Sequence, residues 1–204
     1  MYQTKIKLSN ITNLSDARYA AAMGIDYIGF CFNTNDVNYI PPIKAKEIFE
    51  WTSGSLVVAE FGNQTFVEIN DISELLNIDL LEINNQWRPN ELTTLNKPII
   101  KKIDLTANDC ESLKNEIEKY AQVVFAFHLF STSKVELSDF SCLIELCHKN
   151  KIIWGLPLNA SNTQHVLSTY HPFALNISGG MEEKPGIKDF DEMNDWLESI
   201  EVLD

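Results

Sequence analysis

Short apolar runs and amphipathic segments take turns along the whole chain, one pair about every 25 residues, and this alternation limits the fold more than any composition figure does. Strand-like runs recur at TKIKLS (4–9), YIGFCF (27–32), SLVVAEF (55–61), DLLEIN (79–84), PIIKKIDL (98–105), QVVFAFHLF (122–130), KIIWGLPL (151–158) and FALNIS (173–178). Helical patterns fill the gaps. LSDARYAAAMG has Ser15 as its expected N-cap and Gly24 as its stop, and PPIKAKEIFEW opens on prolines that suit a first turn. NDCESLKNEIEKYA aligns Leu113, Ile117 and Tyr120 on one side, and DFSCLIELCHKNK, NASNTQHVLSTYH and DFDEMNDWLESIE follow. Two fainter helices are expected near 65–76 and 88–96. Strands alternating with helices imply βαβ units and a parallel sheet. Eight units in 204 residues fit a closed (β/α)₈ TIM barrel near its minimum size, a single domain over residues 1–204. An open doubly wound sheet is the alternative, but no glycine fingerprint follows the first strand.

Charge narrows the partners. A net charge of −13, spread along the chain, opposes the phosphate backbone and anionic membrane surfaces, so neither nucleic acid nor membrane is an expected partner. A small anionic ligand stays open, since clustered backbone N–H groups outweigh a diffuse field locally. No run approaches the roughly 18 apolar residues of a membrane span, and the first residues read directly into a strand, so the expected location is the cytoplasm. Cys31, Cys110, Cys142 and Cys147 form no CxxC pair and are expected to be reduced thiols. His128, His148, His165 and His171 make no metal-ligand spacing, and neither metal nor cofactor is expected. Trp51, Trp154 and Trp196 are expected in the core. No feature reads out the oligomeric state.

In such a barrel chemistry gathers where strands end in βα loops. The candidate positions are Ser9 and Asn10, Cys31 to Asn33, Phe61 and Gly62, Glu82 to Asn85, Asp104, Phe127 and His128, Leu156 to Leu158, and Ser178 to Gly180. In KIKLS, Lys5, Lys7 and Ser9 share one strand face. A buried Lys7 without a partner would tend to lose its proton, so an interior carboxylate is expected beside it: Glu82 first, Glu60 or Asp104 second.

Three stretches carry a resemblance to one family. NISGGMEEKPGIKDFDEMNDW (176–196) closely resembles the end of the phosphoribosylanthranilate isomerases, small barrel enzymes of tryptophan biosynthesis. KIKLSNITNLSDARYAAAMGIDYIGFCF (5–32) is similar to their opening, and NYIPPIKAKEI (38–48) to their second segment. The resemblance implies an Amadori rearrangement of an aminoaldose phosphate, with a cysteine base ending the first strand and an aspartic acid ending the sixth. Here Ser9 stands at the cysteine position and Asn10 at the following glycine, while Phe127 or His128 stands at the acid. A thiol is a few per cent ionised at neutral pH; a serine hydroxyl reacts only beside a general base, and LSN supplies none.

Other positions have also changed. Asn38 replaces an arginine, EINN (Glu82 to Asn85) a Gln-Leu-His-Gly motif, LPL (Leu156 to Leu158) a glycine turn, and STSKVELS a glycine-rich loop. Ser178, Gly179 and Gly180 keep half of an anion site for a small phosphorylated ligand. The expectation is therefore a family barrel with lost or altered isomerase activity. The alternative is a working isomerase that uses His128 as acid and Glu82 or Asp104 as base.

Overall fold

Eight buried strands close on themselves. In the computed structural model, which describes residues 1–84, 87–178, 182–184, 187–188 and 190–202, they are β1 (Lys5–Ser9), β2 (Tyr27–Cys31), β3 (Leu56–Phe61), β4 (Leu80–Ile83), β5 (Ile99–Asp104), β6 (Ala126–Phe130), β7 (Ile152–Gly155) and β8 (Ala174–Ser178). Each pairs in parallel with the next, and β1 pairs with β8 from Lys5↔Ala174 to Ser9↔Ser178, which removes both sheet edges. The result is the parallel (β/α)₈ barrel read from the sequence. An antiparallel pair, β9 (Glu182–Lys184) and β10 (Ile187–Lys188), lies outside the barrel and had no counterpart in that reading.

The helices begin where local chemistry starts them. Asn13, not Ser15, caps α1 (Leu14–Ala22), its side-chain oxygen accepting the Asp16 N–H at 2.9 Å. Gly24 takes φ +67° after this helix, a conformation other residues rarely tolerate. Pro42 opens α2 (Pro42–Phe49), Thr65 and Glu68 form a capping box on α3 (Phe66–Leu75), and Asp109 caps α5 (Cys110–Tyr120). The fourth helix, α4, is only Pro89–Leu92. The last three are α6 (Leu143–Lys149), α7 (Thr163–Tyr170) and α8 (Asp191–Ser199).

Two expectations about side chains fail. Trp154 and Trp196 are buried, but Trp51 is 61 % exposed because it follows α2 beyond its core-facing side. Cys110 and Cys142 are joined in a disulfide, with Cα atoms 5.8 Å apart, so only Cys31 and Cys147 are free. Packing of neighbouring βα units brings the first turn of α5 to the residue that opens α6, a proximity that a separation of 32 residues does not announce.

Strand parity divides the core in two. One set of residues packs between the strands and the helices and includes Ile6, Leu8, Phe127, Leu129, Trp154 and Leu175. Inside the barrel, Tyr27, Val58, Leu80, Ile100, Ala126, Ile153 and Ala174 form an apolar floor, with Phe125 and Phe173 packed against it. Lys5 and Lys151 lie over the Phe173 ring at 5.3 and 5.5 Å. Above this floor the interior turns polar, and there lie the candidate residues.

Candidate active site

Two residues beyond the floor residues Val58, Leu80 and Ala126, toward the carboxyl ends, Glu60, Glu82 and His128 point inward, and Lys7 joins them from β1. Lys7 is fully buried. Its ammonium contacts Glu60 Oε1 and reaches Glu82 Oε2 at 3.0 Å, Ser9 Oγ at 2.5 Å and Asn176 Oδ1 at 3.2 Å. Burial works against the charge, yet the two carboxylates outweigh it and hold the Lys7 pKa above the ordinary lysine value. Two of the three carboxylates anticipated for Lys7 thus reach it. Asp104 does not: it caps the 3-10 turn Leu105–Ala107, accepting the Thr106 N–H at 2.9 Å and the Thr132 hydroxyl at 2.9 Å.

Glu82 joins the cluster's halves. Its Oε2 accepts from Lys7 and from His128 Nδ1 at 2.9 Å, and its Oε1 lies 3.7 Å from Lys102 Nζ. Burial opposes ionisation, but the His128 ring N–H and the Lys7 ammonium hold the carboxyl well below its usual range. For His128 burial prevails and pushes the imidazole below its ordinary value. The ring is therefore neutral near pH 7 with its proton on Nδ1, given to Glu82. Nε2 has no hydrogen-bond partner among the described residues. It lies over Gly155, where an added Cβ would stand 2.1 Å from it. Gly29 does the same for Glu60: a Cβ there would lie 2.1 Å from Glu60 Oε1. Both glycines leave room for a charged or polar side chain from the neighbouring strand.

Ser9 is buried at the end of β1. Its Oγ stands 2.7 Å from Glu60 Oε1 and 2.7 Å from Asn176 Oδ1 while accepting from Lys7. A carboxylate therefore faces the serine after all, supplied by β3, which the local stretch LSN could not reveal. The pair still makes no nucleophile, because a carboxylate bound to an ammonium is far too weak a base to ionise an alcohol. Asn10 takes φ +62°, the left-handed conformation that favours glycine and that asparagine tolerates best among side chains.

The sixth strand starts later than the apolar run that announced it. β6 starts at Ala126 because Val123 and Val124 still donate to the Tyr120 carbonyl in the turn after α5. It ends at Phe130, as the run does; Phe130 shares the inward parity of His128, whereas Phe127 faces the helix layer. Lys102 Nζ lies 4.6 Å from the Phe130 ring centre.

A cavity of about 110 Å³ opens at this mouth, lined chiefly by Asn10, Cys31, Glu60, Glu82, Asn84 and Lys102. Burial pushes the Cys31 thiol up to about 11, so it stays protonated. Among the other candidates, Asn38 donates to Asp36 at 3.1 Å, and Ser178 is exposed at the end of β8 beside a second cavity of about 320 Å³, shared with Leu158, Asn159, Met193 and Trp196. Leu156 is buried and the Pro157 carbonyl accepts from Asn162 Nδ2 at 3.1 Å. Gly179, Gly180 and Asn85 lie outside the described residues. His148, His165 and His171 sit on or just after α6 and α7, away from the cluster. The sequence reading missed Lys102, Gly29 and Gly155, and it ranked Glu60 below Glu82. Strand alternation in KKID and VVAEF carried the signal for the first and last of these.

The family model for N-(5'-phosphoribosyl)anthranilate (PRA) isomerase matches residues 6–199. The N-(5'-phosphoribosyl)anthranilate isomerase of Pseudomonas putida (strain GB-1) is 26% identical over 205 residues, covering 98% of each chain. The phosphoribosyl anthranilate isomerase of Thermus thermophilus superposes with a TM-score of 0.81 at 22% identity, over 96% of this chain and 98% of that one. A solved phosphoribosyl anthranilate isomerase in complex with reduced 1-(o-carboxyphenylamino)-1-deoxyribulose 5-phosphate gives 0.80 at 22% identity, over 97% and 98%. With the family model spanning nearly the whole barrel, this chain belongs to the N-(5'-phosphoribosyl)anthranilate isomerase family.

Proposed function

We propose that this protein is a phosphoribosylanthranilate isomerase-like barrel whose isomerase activity is lost or altered, with a small phosphorylated or anionic ligand at the end of β8. One observation carries the reading: the two groups at the expected base and acid positions are both committed elsewhere. The Ser9 hydroxyl is enclosed by Lys7, Glu60 and Asn176. The only N–H of the neutral His128 ring is donated to Glu82. A general acid must hold a proton it can release to the substrate, and a buried ring whose N–H binds a carboxylate does not. The working-isomerase alternative also needs Glu82 or Asp104 as base, but Glu82 is bound by two cations and a ring N–H, and Asp104 caps a turn.

For the ligand, support comes from the family relative solved with a deoxyribulose 5-phosphate analogue, together with Ser178 exposed at the end of β8. The half-site Ser178, Gly179 and Gly180 would offer backbone amides to the anion. The setting this reading implies is the cytoplasm, and no helix among the described residues is long and apolar enough to cross a membrane.

The test is direct. Purified protein should convert phosphoribosylanthranilate no faster than buffer, and the gene should fail to restore growth to a tryptophan auxotroph that lacks the isomerase. Growth at ordinary expression, with turnover in the purified protein, overturns the reading.

A further inference from the structure

The mouth holds one carboxylate that the ion cluster does not exhaust. Glu60 Oε1 is fixed by Lys7 and Ser9 and enclosed where Gly29 lacks a side chain. Among the described residues the hydrogen bonds of Glu60 run through Oε1 and none to Oε2, and the residue keeps 8 % exposure while lining the mouth cavity. Lys102 lines the same cavity, 31 % exposed, held between Glu82 and the Phe130 ring. Bound to Lys7, Glu60 is too weak a base to ionise Ser9. An accessible ammonium that polarises a carbonyl, however, acidifies the neighbouring C–H, so the free oxygen and Lys102 in one small cavity make a base and an electrophilic partner.

We propose that Glu60 is the proton-abstracting base of a rebuilt mouth and that its substrate class is a small enolisable carbonyl compound of about three carbons. This rests on the reading above, in which the family's own acid and base are gone. The cavity of about 110 Å³ sets the size. At about 30 Å³ for each water it displaces, it takes a body of about four waters' bulk, well below the roughly 300 Å³ of ordinary ligand pockets. In the step, Glu60 Oε2 takes a proton from the carbon beside the carbonyl. The C–H electron pair forms the carbon–carbon double bond, and the carbonyl π pair moves to oxygen, where the Lys102 ammonium meets the charge. Returning the proton to the same carbon regenerates the substrate. Returning it to the neighbouring carbon, while a hydroxyl proton shifts between the two oxygens through Lys102, interconverts aldose and ketose. No oxidant, reductant or second substrate enters. Ser9 is a positioning residue in this scheme, holding Oε1 so that Oε2 faces the cavity.

The experiment follows hydrogen–deuterium exchange of dihydroxyacetone and glyceraldehyde in D₂O by proton NMR. The expected result is exchange at least tenfold above protein-free buffer. It should fall at least tenfold in Glu60→Gln and in Glu60→Asp. The second variant keeps a negative charge opposite Lys7, so the fold is retained even if the first misfolds. A three-carbon α-haloketone should also esterify Glu60, read by peptide mass spectrometry, and dihydroxyacetone should protect against it. Exchange no faster than buffer, or exchange undiminished in a cooperatively melting Glu60→Asp, overturns the proposal. Turnover of phosphoribosylanthranilate would instead overturn the functional reading, whatever the exchange result.

Discussion

At the scale of single residues, the interior depends on two missing side chains. Gly155 and Gly29 each leave the volume that a polar neighbour fills, so a methyl group at Gly155 meets His128 Nε2 at 2.1 Å and must displace the ring. Gly155→Ala should cost about 1–3 kcal/mol by overpacking. In a His128→Asn background, where the shorter side chain relieves the ring contact, keeps a donor for Glu82 and leaves the 2.8 Å approach to the Leu129 carbonyl, the same change should cost less. Urea unfolding of the four proteins measures this coupling, and equal costs in both backgrounds would refute it. Lys7 is the opposite case, a group whose loss leaves others exposed to one another. Lys7→Met strands Glu60 and Glu82 in the interior without their shared cation, and it should destabilise by about 3–5 kcal/mol. Neutralising Glu60 as well (Lys7→Met with Glu60→Gln) should recover part of that loss in the same assay. The need of Lys7 for a carboxylate was legible, because parity along KIKLS turned it inward and physics demanded a partner. Which carboxylates would answer was only half legible. Glu60 reaches Lys7 and Ser9 from a strand that pairs with β2 and β4 and not with β1, and no local pattern encodes that distance.

At the scale of elements, repetition made the barrel readable and closure made the rest unreadable. Eight apolar runs with matched spacing give eight strands whichever way their ends fray, so errors stayed at boundaries. β6 begins four residues later than expected because the turn after α5 keeps Val123 and Val124. The N-cap of α1 went to Asn13 instead of Ser15 because both residue types cap well and only the chain's path chooses between them. The bridge between Cys110 and Cys142 is likewise a product of packing between neighbouring units. It ties the start of α5 to the start of α6 across the segment that carries β6 and the loop after it. Removing the bond by Cys142→Ser should lower stability by about 2–4 kcal/mol, as for other loops of this order. Reductant should lower the unfolding midpoint of the parent protein and leave that of the variant unchanged. A parent indifferent to reductant would mean the bond does not form in solution.

At the scale of the whole molecule, a chain of net charge −13 encloses a cluster that must keep its own charges fixed, and pH acts on the two in opposite directions. Acidification relieves repulsion among surface carboxylates, which favours the fold. Inside, the sign reverses. Burial sets the His128 pKa below its ordinary value near 6.5, so the unfolded chain takes up a proton that the folded one refuses. The stability this provides is complete above about pH 6.5 and drains away as pH falls from there toward the folded value. Glu82, held low against burial by His128 and Lys7, adds a second loss below its unfolded value near 4.3. Lys7 acts at the other end: its raised pKa contributes fully below about 10.4 and is lost as pH climbs through the folded value. Urea midpoints measured from pH 8 to pH 5 should therefore fall, with the steepest part beginning near 6.5. In His128→Asn, which cannot titrate, the midpoint over that interval should stay level or rise as surface repulsion eases, while the later loss through Glu82 persists. Parallel curves for the two proteins would mean that the imidazole is already charged in the fold, and a charged ring would have a second N–H free to act as an acid.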